Sequence, residues 1–277
     1  MSGQKYSAER VLLWHSLKGV RTLVLVIGVL LALFQVVLIA VARSLENSGQ
    51  FSQLGALLPP FVRALMGPAL AGFLSFNGIV SLGYFEPAVL GAVVGCAITV
   101  GTRLALEVES GFLDLILARP VTRHWIVTRS ILVTAVSVVV IVAFMVAGTW
   151  AGLTMLAPAS VEKPSAALVA SLAAGLGVLG LSWGALALMA ASAANRRGAA
   201  GGATGVAALV MFLLDYVGQL WQPAQTVARL SPFHYFRPLD LVMGQTYSVS
   251  DTAVLVGITV MGFAAAYVLF LRRDITR

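Results

Sequence analysis

The chain has 277 residues, of which 59% are hydrophobic and only 10% charged, and its mean hydropathy is +0.95. Soluble domains carry about 25% charged residues, so this chain has too few to cover a water-facing surface, which excludes the soluble, disordered, collagenous and disulfide-stapled classes and leaves a multi-span membrane protein. The net charge of +7 comes from Lys and Arg set between long apolar runs, where they fix membrane orientation rather than mark a nucleic-acid partner.

The first element lies before residue 22. Glu9, Arg10, Trp14 and Lys18 interleave with Val11, Leu12 and Leu13, a pattern that predicts an amphipathic helix lying on the inner leaflet. Residues 22–42 are uncharged and long enough to span. Ala40-Val41-Ala42 resembles a signal cleavage site, but the run exceeds the 7–15 residues of a secretory apolar region, so the expectation is a retained span. Phe51, Leu54, Leu57, Leu58, Phe61 and Leu65 then recur at three- and four-residue spacings. They predict an amphipathic segment at the outer interface, broken by Pro59-Pro60 and Pro68.

Residues 64–102 contain one charge, Glu86, followed by Pro87. This stretch has room for one span at 84–106, or for two that turn at Glu86-Pro87. Further spans are expected at 130–155, 167–193, 199–219 and 252–271. Residues 221–250 join the last two and carry Trp221, Phe233, Tyr235, Phe236 and Tyr247, rings suited to the headgroup zone. Small residues crowd the fourth and fifth spans (Gly180, Gly184, Gly201 and Gly205 among them), for packing within the chain or for a dimer seam.

Basic residues choose between six and seven spans. Six spans place Lys5, Arg10, Lys18, Arg21, Arg103, Arg119, Arg123, Arg129, Arg196, Arg197, Arg272, Arg273 and Arg277 inside, and Arg43, Arg63, Lys163, Arg229 and Arg237 outside. Seven spans reverse this majority. Positive residues concentrate on the inner side, so the fold class read here is an all-α membrane protein. It has six transmembrane helices, both termini cytoplasmic, and one transmembrane domain over 1–277.

The loop after the second span is the most informative stretch. Glu107 and Glu109 precede Gly111, which permits a sharp bend. Phe112, Leu113, Leu115, Ile116 and Leu117 follow as an apolar helix face too short to cross, and Pro120 ends it before Arg123. Residue chemistry alone fits two readings equally, a surface shaped for another protein or an interfacial helix on the inner leaflet.

Glu107, Glu109, Gly111, Asp114, Leu117, Pro120, Val121, Thr122 and Arg123 resemble the signature of type-2 ATP-binding-cassette (ABC) transporter permeases, with Asp114 where the family usually carries Glu. Ser231-Pro232-Phe233-His234-Tyr235 is similar to that family's Ser-Pro-Phe stretch before the last span. Residues Phe270 to Ile275 (Phe-Leu-Arg-Arg-Asp-Ile) are similar to its closing tail. The resemblance covers essentially the whole chain. It implies a permease of an ABC transporter, working with an ABC-type ATPase subunit in two copies and a second permease chain, the same or homologous. The loop 107–123 would be the coupling helix seated on the ATPase, with Glu107, Glu109, Gly111, Phe112, Asp114, Leu117, Pro120 and Arg123 at the interface. Carboxylates there could pair with basic residues of the partner. Replacing Glu107 or Gly111 is therefore expected to uncouple the complex while folding stays near normal.

No Gly-x-x-x-x-Gly-Lys-(Ser/Thr) loop is present, and the three lysines, Lys5, Lys18 and Lys163, do not follow glycine at that spacing. The chain is therefore expected not to be an enzyme, with ATP and Mg2+ handled by the partner. His15, His124 and His234 are scattered, Cys96 is single, and no metal site is expected. Glu86 and Asp215 read as residues at the outer interface. Glu86, Ser231, Pro232, Phe233 and Tyr235 form a candidate outer gate. The function expected is export of a hydrophobic or amphipathic small molecule across the cell membrane. The alternatives are a permease-like mechanotransmission or signalling subunit acting on an envelope partner and, behind it, an ion-coupled carrier. Membrane lipid is the expected surroundings, with no nucleic-acid partner.

Overall fold

A computed structural model describes residues 2–48, 75–112, 122–158, 161, 163–246 and 248–273, with side chains from residue 9 onward. The described residues are helical and contain no strand. In chain order the elements are α1 (Ser2–Asn47), α2 (Phe76–Leu82), α3 (Pro87–Gly101), α4 (Arg103–Glu109), α5 (Arg123–Leu156), α6 (Ala166–Ala193) and α7 (Arg197–Leu220). Then come α8 (Gln225–Ala228), α9 (Pro238–Val242) and α10 (Val249–Arg272), with 3-10 turns at Gln222–Ala224 and Pro232–Tyr235. Six passages are long and apolar enough to cross a bilayer: Glu9–Asn47, Phe76–Glu109, Arg123–Leu156, Ala166–Ala193, Arg197–Leu220 and Val249–Arg272. These are the six expected from the apolar runs.

The amphipathic stretch before residue 22 is not a separate helix. It is the first part of α1, which runs 46 residues without a break, about 69 Å at 1.5 Å per residue. No proline interrupts it, and isolated glycines such as Gly19 and Gly28 do not end a helix. Gly19 instead makes room for a neighbour: a Cβ there would lie 2.6 Å from an Arg103 guanidinium nitrogen. Val11 and Trp14 remain exposed, and Lys18 Nζ lies 5.4 Å from the Trp14 ring centre.

The second passage is jointed. Ser75 caps α2 by accepting the Gly78 N–H at 3.0 Å. The chain then turns, and Pro87 opens α3 at a position where its missing N–H is no loss. With seven residues, α2 reaches only about 10 Å, too little to be a span of its own. The outer segment expected from Phe51 to Leu65 lies outside the described residues. Its counterpart before the last span takes the form of α8, α9 and the two 3-10 turns.

α6 is the hub. Two-thirds (67%) of the apolar windows of the second and fourth passages are buried, against 28% for the first and 22% for the fifth and sixth. Small residues explain how other helices reach α6. A Cβ on Gly184 would meet the Thr134 methyl at 2.6 Å, and one on Gly101 would meet the Gly184 carbonyl oxygen at 2.7 Å. Hydroxyl groups link helices inside the bundle. Ser182 Oγ donates to the Leu255 carbonyl, and its hydroxyl also lies 3.0 Å from Thr259 Oγ1, tying α6 to α10. Tyr84 and Thr149 hydroxyls meet at 2.8 Å. The packing use of small residues within the chain therefore holds for the fourth span. In the fifth, Gly198, Gly202 and Gly205 face open space.

Candidate functional site

Two places bring polar residues together, one at each end of the bundle. The first, the arginine end, collects the close of α4, the starts of α5 and α7, and the closes of α6 and α10. Arg129, one turn and a half into α5, is almost wholly buried and ion-pairs with Glu107 of α4. Glu109 accepts the Arg197 backbone N–H at 2.9 Å. That carboxylate thus satisfies a donor at the α7 N-terminus, where both the hydrogen bond and the helix dipole favour a negative charge. The Arg197 side chain reaches back to the Thr99 carbonyl at 3.3 Å.

Across the same end, Arg273 donates to the carbonyls of Ser192 (3.3 Å) and Ala194 (2.9 Å) and to the Asn195 side chain. It caps the otherwise orphaned carbonyls that close α6. Arg123 Nη1 donates to the Arg273 carbonyl at 3.4 Å. The turn from α6 to α7 is thus clamped from α4 on one side and α10 on the other.

The residues singled out for coupling divide accordingly. Glu107 and Glu109, expected to reach toward a partner, have partners within the chain and form the base from which the loop departs. Gly111 adopts φ +70° just after the last turn of α4, with open space around it, the left-handed helix-ending position that favours glycine. Phe112 is 36% exposed and its ring centre lies 6.4 Å from that of His15 on α1. Asp114, Leu117 and Pro120 lie outside the described residues, and Arg123 begins α5. Sequence spacing gave no hint that Arg129 and Arg197 complete this base, because their partners belong to other helices.

The second place, the aromatic end, is a cavity of about 390 Å³ between α3, α7 and the 3-10 turn Pro232–Tyr235. Ser231 is fully buried and caps that turn by accepting the Phe233 N–H at 3.1 Å. Pro232 and Phe233 are buried as well. The Phe233 ring lies 5.6 Å from Trp183 and 5.5 Å, edge-on, from Phe212. Tyr235 donates its hydroxyl proton to the Arg229 carbonyl at 2.8 Å.

Of the gate residues expected, Phe233 lines the cavity, Ser231 and Pro232 hold the turn, and Tyr235 braces it from outside. Phe85 and Pro87 line the cavity on either side of Glu86 in the chain. Glu86 itself precedes α3 and has one buried carboxylate oxygen with no hydrogen bond. Asp215, expected to be a simple interface marker, is buried at 8% exposure on α7. It lies 3.3 Å from His234 Nδ1 and accepts from Gln219 Nε2 at 2.9 Å. Among the described residues, no group of three or more His, Cys, Asp or Glu is placed to hold a metal ion.

Six apolar passages, one of them a buried central helix, define a multi-pass membrane protein. The family model for ABC-2 family transporter proteins matches residues 16–275. The chain belongs to that family: it is the permease subunit of an ABC transporter, a class that works with an ABC ATPase subunit. No curated protein shows significant similarity to it.

Proposed function

We propose that this permease belongs to an exporter of a hydrophobic or amphipathic small molecule, with residues 107–123 coupling it to the ATPase. In this reading the arginine end and both termini are cytoplasmic, in the cell membrane. Two ATPase copies bind ATP and Mg2+, and a second permease chain, identical or homologous, completes the pathway. Closure of the ATPases on ATP pushes the loop, and the bundle alternates its access.

The observation that carries the reading is the base of the loop. Ion pair Glu107–Arg129 and the Glu109–Arg197 bond fix α4 to α5 and α7, so force applied beyond Gly111 reaches three passages rather than one. A loop anchored only by its own helix would transmit little. The basic side chains at this end agree with an inner location.

Phe112 is the described apolar side chain best placed for the contact. Phe112→Ser is expected to lower ATP hydrolysis by the reconstituted complex about tenfold, the effect of losing about 1.4 kcal/mol of contact. The unfolding midpoint of the isolated chain should stay unchanged. Full hydrolysis and transport in that variant would remove the loop from the coupling path.

A further inference from the structure

We propose that the cavity at the aromatic end binds a lipophilic monovalent cation, with Asp215 as the counter-charge and phenyl rings as the walls. As a substrate site this deepens the exporter reading and rests on it; as a binding site it stands on its own geometry.

Asp215 is a buried carboxylate inside a membrane passage. Such a group is costly and marks function by default. Its two described neighbours are hydrogen-bond donors, His234 and Gln219. Arg237 Nη2 lies 3.3 Å from His234 Nε2. A guanidinium only donates, so this contact favours the tautomer in which Nε2 accepts and Nδ1 carries the proton that faces Asp215. In that tautomer His234 donates to Asp215 without carrying charge, as Gln219 does. A carboxylate accepts about four hydrogen bonds, which leaves capacity at Asp215 for a ligand.

Among the described residues lining the cavity, Arg237 is the one permanent cation, and it pairs with Asp251 at 3.6 Å. Asp240 adds a second acid to the wall. The balance is negative. Around it stand Phe212, Phe233 and Phe236 together with Phe85 and Tyr216. Faces of aromatic rings attract cations that have shed water, which is the basis of quaternary-ammonium recognition. The volume falls in the range of about 300–1,000 Å³ typical of small-ligand sites. An anion would meet two carboxylates, and an uncharged solute would leave Asp215 without its added stabilisation. A large apolar cation satisfies both walls and charge.

The test uses the purified full-length chain in nanodiscs of zwitterionic phosphatidylcholine, with tetraphenylphosphonium and tetraphenylborate, which match in shape and differ in sign. Equilibrium dialysis should show saturable binding of the cation and none of the anion. Asp215→Asn should weaken cation binding about tenfold or more, with Asp215→Glu retaining most of it. Phe212→Leu should weaken it severalfold without changing the preference for positive charge. Absence of saturable cation binding, equal binding of tetraphenylborate, or unchanged affinity in an Asp215→Asn chain of normal unfolding midpoint would each overturn the proposal. The measurement needs no ATPase. Failure here, in a chain that still recruits and stimulates an ATPase, removes the site and leaves the permease reading intact; cation binding by a chain that recruits none does the reverse.

Discussion

Replacing Glu107 with Gln is expected to destabilise the bundle by about 3–5 kcal/mol, the size found when one partner of a buried ion pair is removed. Arg129 is 2% exposed. Its charge, once taken out of water, is balanced by Glu107, which also faces Arg103. Without Glu107, buried Arg129 stays near Arg103 with no acid to balance it. The midpoint of denaturation in mixed detergent micelles reads the loss. The double replacement Glu107→Leu with Arg129→Met should recover most of it, because an apolar pair of similar volume does not carry the desolvation cost. An unchanged midpoint for Glu107→Gln would show that the pair contributes nothing. This outcome also revises the expectation that Glu107 variants keep near-normal folding. Such a variant would confuse lost coupling with lost structure, which makes Phe112 the cleaner probe of the loop.

The second large effect is at the seam between α1 and α5. A Cβ on Gly148 would lie 2.5 Å from the Ala32 carbonyl oxygen and 2.6 Å from the Ala32 Cα. Both are backbone atoms, so no side chain can swing aside, and the helices must part. Gly148→Ala is expected to cost about 1–3 kcal/mol, and Gly148→Val more. Gly91, on α3, faces open space, so Gly91→Ala should be neutral or slightly stabilising, since alanine is the better helix former. The two variants share one chemical change, and opposite signs in the same denaturation assay identify contact as the cause. Equal effects would mean that the α1–α5 seam is looser than described.

Much of this architecture is legible in the residues. Uncharged runs mark the six passages because a bilayer demands about 20 apolar residues for each, and Gly111 announces its bend because few other residues accept positive φ. Pairings are less legible. Glu107 and Arg129 are ordinary loop-flanking charges until α4 and α5 are laid side by side. Asp215 and His234 lie in different elements, and only the 3-10 turn capped by Ser231 brings the imidazole to the carboxylate. The N-terminal helix departs from expectation for a different reason. An amphipathic pattern describes a face and not a direction, and the absence of any proline between Glu9 and Thr22 is the signal for one continuous α1.

The central claim is that this chain works as the membrane half of an ATP-driven machine. Its most direct test is affinity purification of the tagged full-length chain in mild detergent, followed by mass spectrometry and an ATPase assay of the eluate. The expected result is a stoichiometric ABC ATPase subunit and ATP hydrolysis that is lost when residues 107–123 are altered. A chain that elutes alone and without ATPase activity would contradict it.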